Sequence, residues 1–68
     1  MATKIVATGV EARADIIREV ERLMTRGAAI SGYTSDSMVV EFRGVKGVVA
    51  DVARSFVRAG KATWKGDV

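Results

Sequence analysis

Two stretches of this chain have apolar residues at the spacing expected of an α-helix. The first repeats them at the intervals of three and four that mark one helix face: Ile16, Ile17, Val20, Leu23 and Met24. Gly27 follows as a typical stop. The second stretch, from Val45 to Gly60, has the same pattern: Val48, Val49, Val52, Phe56 and Ala59. Valine is a poor helix former, so the second prediction depends on the period and the flanking glycines.

Runs that favour β-strands surround both helices. Residues 3–8 precede the first helix, and residues 61–65 follow the second as a short alternating edge strand. Between the helices, residues 28–34 and 38–43 flank the polar residues 35–37, which is the pattern of a β-hairpin. The sequence therefore predicts the order strand, helix, strand, strand, helix, strand.

This order predicts an α+β protein of the ferredoxin-like split βαβ type (βαββαβ). Such a protein has a four-stranded antiparallel sheet with two helices on one face, here as a single domain over residues 1–68. The similarity of residues 24–32 to residues 57–66 is compatible with an internal duplication. We further expect strands 1 and 3 to be parallel neighbours, so that both helices begin at the same end of the sheet.

The composition leaves few ways to reinforce so small a domain. The 68 residues include no Cys, His or Pro, and a domain of this size buries only about 60% of its unfolded surface. Disulfides are impossible, and a zinc site would have only carboxylates as ligands. We therefore expect no metal, no cofactor and, without His or Cys, no enzymatic activity. Self-association is the remaining means of stabilisation.

Two surfaces are candidates for self-association as a homodimer or larger oligomer. The predicted edge strand at residues 28–34 carries no charge that would prevent pairing with another chain. Its candidate contact residues are Ala29, Ser31 and Tyr33. The second candidate is a small-residue flank of the second helix formed by Ala50, Ala53 and Val57.

The two helix starts are predicted to differ. Thr8 and Glu11 have the spacing of a capping box for the first helix, whereas the sequence "RGVKG" before the second offers no capping side chain. The open N–H groups, two cations and two glycines there form a candidate site for an anion or a partner: Arg43, Gly44, Lys46 and Gly47. The alternative is that Gly44 only turns the chain.

Arginines recur along both predicted helices in a chain with a net charge of +3. They form a candidate basic surface: Arg18, Arg22, Arg26, Arg54 and Arg58. Acidic residues at neighbouring helix positions also allow a solvated, ion-paired surface. The third strand directs Met38, Val40 and Phe42 inward and Val39, Glu41 and Arg43 outward, which gives no aromatic platform for bases. We expect Tyr33 to face outward and Trp64 to fill one end of the core.

These features predict a small non-enzymatic interaction protein, regulatory or inhibitory in action. It would bind an acidic macromolecular partner through its basic surface. The alternative is a nucleic-acid-binding module that uses the helix arginines and residues 43–47, and a third interpretation is a sensor of small anions. The apolar run within the first ten residues is too short for a signal peptide or a membrane span. We therefore expect a cytoplasmic protein with no membrane partner.

Overall fold

A computed structural model of the protein describes residues 1–67, and of residues 66 and 67 it describes the main chain only. Over this range the chain forms β1 (Ala2–Ala7), α1 (Val10–Thr25), β2 (Ile30–Asp36), β3 (Val39–Gly44), α2 (Lys46–Arg58) and β4 (Ala62–Asp67). The strands lie in the order β2-β3-β1-β4, and all neighbours are antiparallel. The predicted ferredoxin-like α+β fold is confirmed.

The expected parallel pairing of the first and third strands is wrong. β1 and β3 are antiparallel neighbours, with Ala2 opposite Arg43 and Val6 opposite Val39. The reason is the hairpin, because it reverses the direction of β3 after the α1 crossover has returned the chain parallel to β1. As a result, α1 and α2 begin at opposite ends of the sheet.

The core lies between the two helices and one face of the sheet. Its fully buried side chains include Ile5, Val40 and Phe42 from the sheet and Ile16 and Val20 from α1. The other predicted stripe residues of α1 are half-buried against this core: Ile17, Leu23 and Met24. The first helix stripe is therefore confirmed.

The stripe of α2 differs from the prediction at two alanines. Val49 and Phe56 are buried, and Phe56 meets Phe42 edge to face with ring centroids 6.5 Å apart. Ala59 is exposed at the end of the helix and does not belong to the stripe. Ala53 is fully buried, so it belongs to the core and is not available as an association surface.

Both helices end in the same way, which accounts for the similarity of the two halves of the sequence. The Gly27 N–H donates to the Met24 carbonyl, the Ala28 N–H donates to the Leu23 carbonyl, and Gly27 has a φ of 75°. This is the Schellman motif, which needs a left-handed residue that is most often glycine. An equivalent pair of bonds surrounds Gly60, whose φ is also 75°.

The predicted capping box at the start of α1 is wrong. Gly9 is the N-cap residue, and no side chain of the described residues caps it. The Thr8 hydroxyl instead donates to the carbonyls of Gly60 and Lys61, at 3.1 and 3.2 Å. Thr8 therefore links the end of β1 to the loop before β4. The start of α2 at Val45 also has no side-chain cap, as predicted.

The hairpin turn is shorter than predicted and lies two residues later. Asp36 pairs with Val39, so the turn consists of Ser37 and Met38, with Ser37 at a φ of 57°. β2 continues through Ser35, which lies opposite Val40 and whose hydroxyl accepts a hydrogen bond from the Arg13 side chain at 3.0 Å. Met38 is half-buried in the turn and not part of the strand.

The main-chain hydrogen bonds show which groups of β4 are unpaired at the edge of the sheet. The Ala7 N–H donates to Met38 of the β3 side, and the Thr8 N–H donates to Lys61 of the β4 side. In antiparallel pairs these directions alternate along a strand. Thr63, opposite Val6, therefore bonds inward, while Ala62 and Trp64 direct their N–H and C=O groups away from β1. Ala62 is nevertheless covered, with 3% of its surface accessible, whereas Trp64 is 47% accessible.

The same argument applies to β2, the strand at the other edge. The Gly44 N–H donates to Met1 on the β1 side, so Glu41 directs its main-chain groups toward β2 and bonds Thr34, its opposite residue. Tyr33 and Ser35 then direct their main-chain groups outward. Both edge strands also contain an irregularity, between Ile30 and Gly32 in β2 and opposite Lys4 and Ile5 in β4.

Candidate functional site

An open depression of about 820 Å³ lies at the end of the sheet where β3 passes into α2. Met1, Ala29, Arg43 and Val45 are among the residues that line it. Three main-chain hydrogen bonds of 3.0 Å hold its floor together. Gly44 exchanges two of them with Met1, including one from the Met1 amine, and Val45 donates the third to Ala29.

The close packing of two chain segments explains Gly44. A Cβ atom at this position would lie 2.1 Å from the Ala29 carbonyl oxygen, well inside van der Waals contact. Gly44 therefore permits the start of β2 to approach the end of β3. Gly47, by contrast, has no atom within 4 Å of a built Cβ. The packing accounts for Gly44 without a ligand, and anion binding by residues 43–47 stays a prediction.

Three cationic groups belong to this end of the sheet, and we call them the basic end. The Met1 amine and the Arg43 side chain belong to residues that line the depression, and Lys46 begins α2 directly after Val45. All three residues are exposed. Among the residues that the structure describes, no carboxylate lines the depression, and the first turn of α2 contains no acidic residue. The helix dipole adds partial positive charge there. Exposed apolar surface from Met1 and Val45, 43% and 59% accessible, lies beside these charges.

Most of the predicted helix arginines are paired with carboxylates on their own helix. Three pairs join residues three positions apart at 3.0–3.2 Å: Arg18 with Asp15, Arg22 with Glu19, and Arg54 with Asp51. The hydrogen bond from Arg22 lowers the pKa of Glu19 and, for the same reason, the pKa of Arg22 is raised. These residues form the ion-paired surface that the sequence analysis gave as the alternative.

Arg26 and Arg58 have no ion pair among the side chains described, but they do not extend a common track. Arg26 follows α1 next to Gly27, which lines the depression at the basic end. Arg58 is the last residue of α2 and lies at the opposite end of the sheet. The cleft between the helices is lined by Arg18 and Arg22, whereas Arg54 is not part of it.

The uncovered face of the sheet has mixed charge and no aromatic residue in the described range. Lys4, Glu41 and Lys65 share a shallow depression on it, and Val39, Glu41 and Arg43 face this side as predicted. Tyr33 does not, because it lies opposite the buried Phe42 and is therefore on the helix side.

The residues predicted for self-association through β2 all have partners within the chain. Ala29, at a φ of 66°, accepts from Val45, and the Ser31 hydroxyl donates to the Arg43 carbonyl at 3.2 Å. The Tyr33 hydroxyl donates to Glu21 at 2.7 Å. This hydrogen bond, with smaller contributions from burial and the Glu21 charge, raises the pKa of Tyr33. Their role in self-association stays a prediction.

The expectation that Trp64 fills the core is wrong. It lies opposite Ile5 on the helix side of the sheet, but 47% of its surface is exposed. The physical reason is its position on β4, which has no neighbouring strand on its outer side. The sequence analysis did not predict that this indole is exposed, although its placement on an edge strand already contained the signal.

The described residues contain no conventional metal site or membrane span. Among the side chains of residues 1–65, no three acidic groups gather where they could hold a metal ion. None of the helices in this range has the length and apolar character needed to cross a membrane. Comparison of the chain with models of known protein families, with curated proteins and with solved structures finds no match.

Proposed function

We propose that this protein is a small non-enzymatic interaction protein, regulatory or inhibitory in action, that binds an acidic segment of another protein through its basic end. The observation that supports this function is that Met1 and Arg43 line a depression whose described lining contains no carboxylate, with Lys46 in the first turn of α2 next to its lining residue Val45. On the helices, Arg18, Arg22 and Arg54 each have an acidic neighbour within 3.2 Å, which reduces their attraction for a partner.

The surroundings of the basic end favour a protein over a nucleic acid as the partner. Exposed Met1 and Val45 offer apolar contact next to the charges, and interfaces between proteins combine an apolar centre with a polar rim. Binding of single strands usually requires aromatic side chains on which the bases stack. The uncovered sheet face has none in the described residues, and the paired helix arginines do not form a continuous track for phosphates.

The proposal is tested by titrating the protein with a synthetic acidic peptide that contains leucine and, separately, with a single-stranded and a duplex oligonucleotide. We expect the peptide to bind more tightly than either oligonucleotide. The double variant R43E/K46E should lower its affinity at least about tenfold, because two attractive charge pairs become repulsive. Fluorescence anisotropy of the labelled peptide at several salt concentrations measures this.

The double variant R18E/R54E is the matched control. Each replacement of a cation by glutamate lowers the charge by two, so both double variants change the net charge from +3 to −1. The control should bind the peptide more tightly than R43E/K46E does. Equal losses in the two variants would show that only net charge matters and would contradict a localised site. Tighter binding of an oligonucleotide with a steep salt dependence would support the nucleic-acid alternative.

A further inference from the structure

We infer that two copies of this chain pack face to face through the side of the sheet that no helix covers. We call this surface the open face. It is centred on β1 and β3, and the residues that carry the inference are Lys4, Val6, Asp36, Val39, Glu41 and Lys65. The inference concerns a different surface from the basic end and does not depend on the proposed function.

One row of residues crosses the open face from edge to edge and separates its charges. Lys4 of β1 lies opposite Glu41 of β3, and Glu41 lies opposite Thr34 of β2. Lys65 lies at the irregularity of β4 and shares a shallow depression with Lys4. Asp36 follows Thr34 two residues further along β2. Both carboxylates therefore lie on the half formed by β2 and β3, and both lysines lie on the half formed by β1 and β4.

These charges differ from those of the helices in having no ion pair among the described side chains. The Glu41 carboxylate has the Thr34 hydroxyl at 3.5 Å, which is the long limit of a hydrogen bond. Lys4 and Glu41 are nonetheless half-buried, as are the apolar Val6 and Val39 beside them. Charges that are partly removed from water and lack a partner are available to opposite charges on another molecule.

The separation of charge indicates that the partner is a second copy. A two-fold axis that runs along the strands, between β1 and β3, places β3 of each copy over β1 of the other. Because Glu41 is level with Lys4 and Val39 is level with Val6, Glu41 then faces Lys4 of the second copy. Val39 likewise faces Val6, and each contact occurs twice, as a two-fold interface requires. An axis across the strands would oppose like charges, so the aligned packing common to paired sheets is selected.

The outer strands extend the same match. With β2 of one copy over β4 of the other, Asp36 lies on the side of the interface where the second copy has Lys65. Arg43, the remaining cation of this side of the sheet, lies at the end of the face. A Cβ atom at Gly32 would be 3.9 Å from a guanidinium nitrogen of Arg43, so this side chain extends over β2 and away from the two-fold axis. Arg43 therefore stays with the basic end.

The size of the open face determines the expected strength of the dimer. Four strands about 4.8 Å apart, each of six or seven residues, give a face of roughly 19 by 20 Å. Two such faces bury roughly 800 Å² of flat area, and the relief of the side chains raises this toward the lower limit of specific interfaces, about 1,200 Å². We therefore expect a reversible dimer with a dissociation constant in the micromolar range.

Sedimentation velocity of the full chain, from low micromolar to millimolar concentration, tests this inference. We expect a monomer–dimer equilibrium in the wild-type protein. Lys4→Glu and Glu41→Lys should each weaken it at least about tenfold, because two ion pairs become pairs of like charge. Arg54→Glu on α2 is the matched control for Lys4→Glu, since each lowers the net charge by two, from +3 to +1. The control should leave the equilibrium unchanged.

An equimolar mixture of Lys4→Glu and Glu41→Lys is the decisive measurement. At these two positions the first variant carries only carboxylates and the second only ammonium groups. A mixed dimer therefore has both ion pairs, and we expect the mixture to associate about as strongly as the wild-type protein while each variant alone does not. The double variant K4E/E41K should dimerise like the wild type for the same reason.

A wild-type protein that stays monomeric at millimolar concentration would overturn the inference. It would equally be overturned by a dimer that the two single variants leave intact, or by a mixture that fails to restore association. If circular dichroism shows that a single variant is unfolded, the double variant K4E/E41K decides, and a monomer would then contradict the pairing. No peptide is present in these measurements, so a failure of the proposed function leaves their result unaffected.

Discussion

The two edges of the sheet differ in the side chains that the neighbouring helices place beside them. At the β2 edge, α1 reaches the strand with polar side chains: Arg13 bonds Ser35 at 3.0 Å, and Glu21 accepts from Tyr33 at 2.7 Å. In β4, the strand at the other edge, Trp64 is 47% accessible, and the half-buried residues of α2 include the apolar Ala50 and Val57. The first edge has satisfied side chains, whereas the second has apolar surface in contact with water.

This difference shows that the charge of an edge strand alone is a poor guide to how much apolar surface it exposes. β2 carries no lysine or arginine, which makes it the more exposed edge by sequence. β4 contains Lys65 and is nonetheless the edge with the larger apolar surface. The neighbouring helix supplies either hydrogen-bond partners or further apolar surface. This contribution depends on the tertiary structure and is absent from the sequence of the strand itself.

The largest effect on stability is expected at Gly44, which allows the start of β2, at one edge of the sheet, to lie against β3. Gly44→Val places side-chain atoms inside contact distance of the Ala29 carbonyl, since the Cβ alone would be 2.1 Å away. We expect the free energy of unfolding to fall by about 3 kcal/mol or more. Urea denaturation measures this.

The matched control is Gly47→Ala. There a Cβ meets no atom within 4 Å, and replacing a helical glycine by alanine should raise the free energy of unfolding by up to about 1 kcal/mol. Wild-type stability in Gly44→Val would show that β2 does not begin against β3 as described.

A smaller effect is expected at Thr3, which lies in β1 opposite residue 67 of β4. Its side chain is fully buried and its hydroxyl has no hydrogen-bond partner among the described residues. Thr3→Val removes this hydroxyl with little change in shape and should raise the free energy of unfolding by about 1 kcal/mol. Urea denaturation measures this. An unchanged or lower free energy of unfolding would show that the hydroxyl is hydrogen-bonded in the folded protein.

The smallest effect concerns the hydrogen bond between Tyr33 and Glu21 at the β2 edge. It holds the pKa of Tyr33 above that of an unfolded chain. A raised pKa means that the stabilising contribution is complete below the unfolded value, about 10, and is lost as the pH rises through the folded value. Glu21→Gln should lower the pKa of Tyr33 in an alkaline titration followed by ultraviolet absorbance. An unchanged pKa of Tyr33 would mean that its hydroxyl does not bond Glu21 of α1.

The fold was predictable because its main features are periodic in the sequence. The apolar stripe of α1, the alternation of Val40 and Phe42 in β3, and the stops at Gly27 and Gly60 all depend on neighbouring residues. The antiparallel relation of β1 and β3 also follows from the hairpin, and the expectation of parallel strands misapplied a rule for crossovers. These features are local or topological, so the sequence contains them.

The features of the candidate site depend on contacts between distant residues. Thr8 has a capping partner at the right spacing, yet it bonds Gly60 and Lys61 because the strand brings it to that loop. Gly44 leaves room for the main chain of Ala29, fifteen positions earlier in the chain. The exposure of Trp64 depends on which strands lie beside β4. Such non-local neighbours are not encoded in any short pattern.

The most direct test of the central claim is hydrogen–deuterium exchange of the main-chain amides with and without the acidic peptide. The account predicts that exchange slows at Lys46 and Gly47, whose N–H groups lie in the first turn of α2 at the basic end. Exchange at Tyr33 and Ser35, the outward amides of β2, should not change. Protection at Tyr33 and Ser35 with none at Lys46 and Gly47 would contradict the account and assign the binding site to β2.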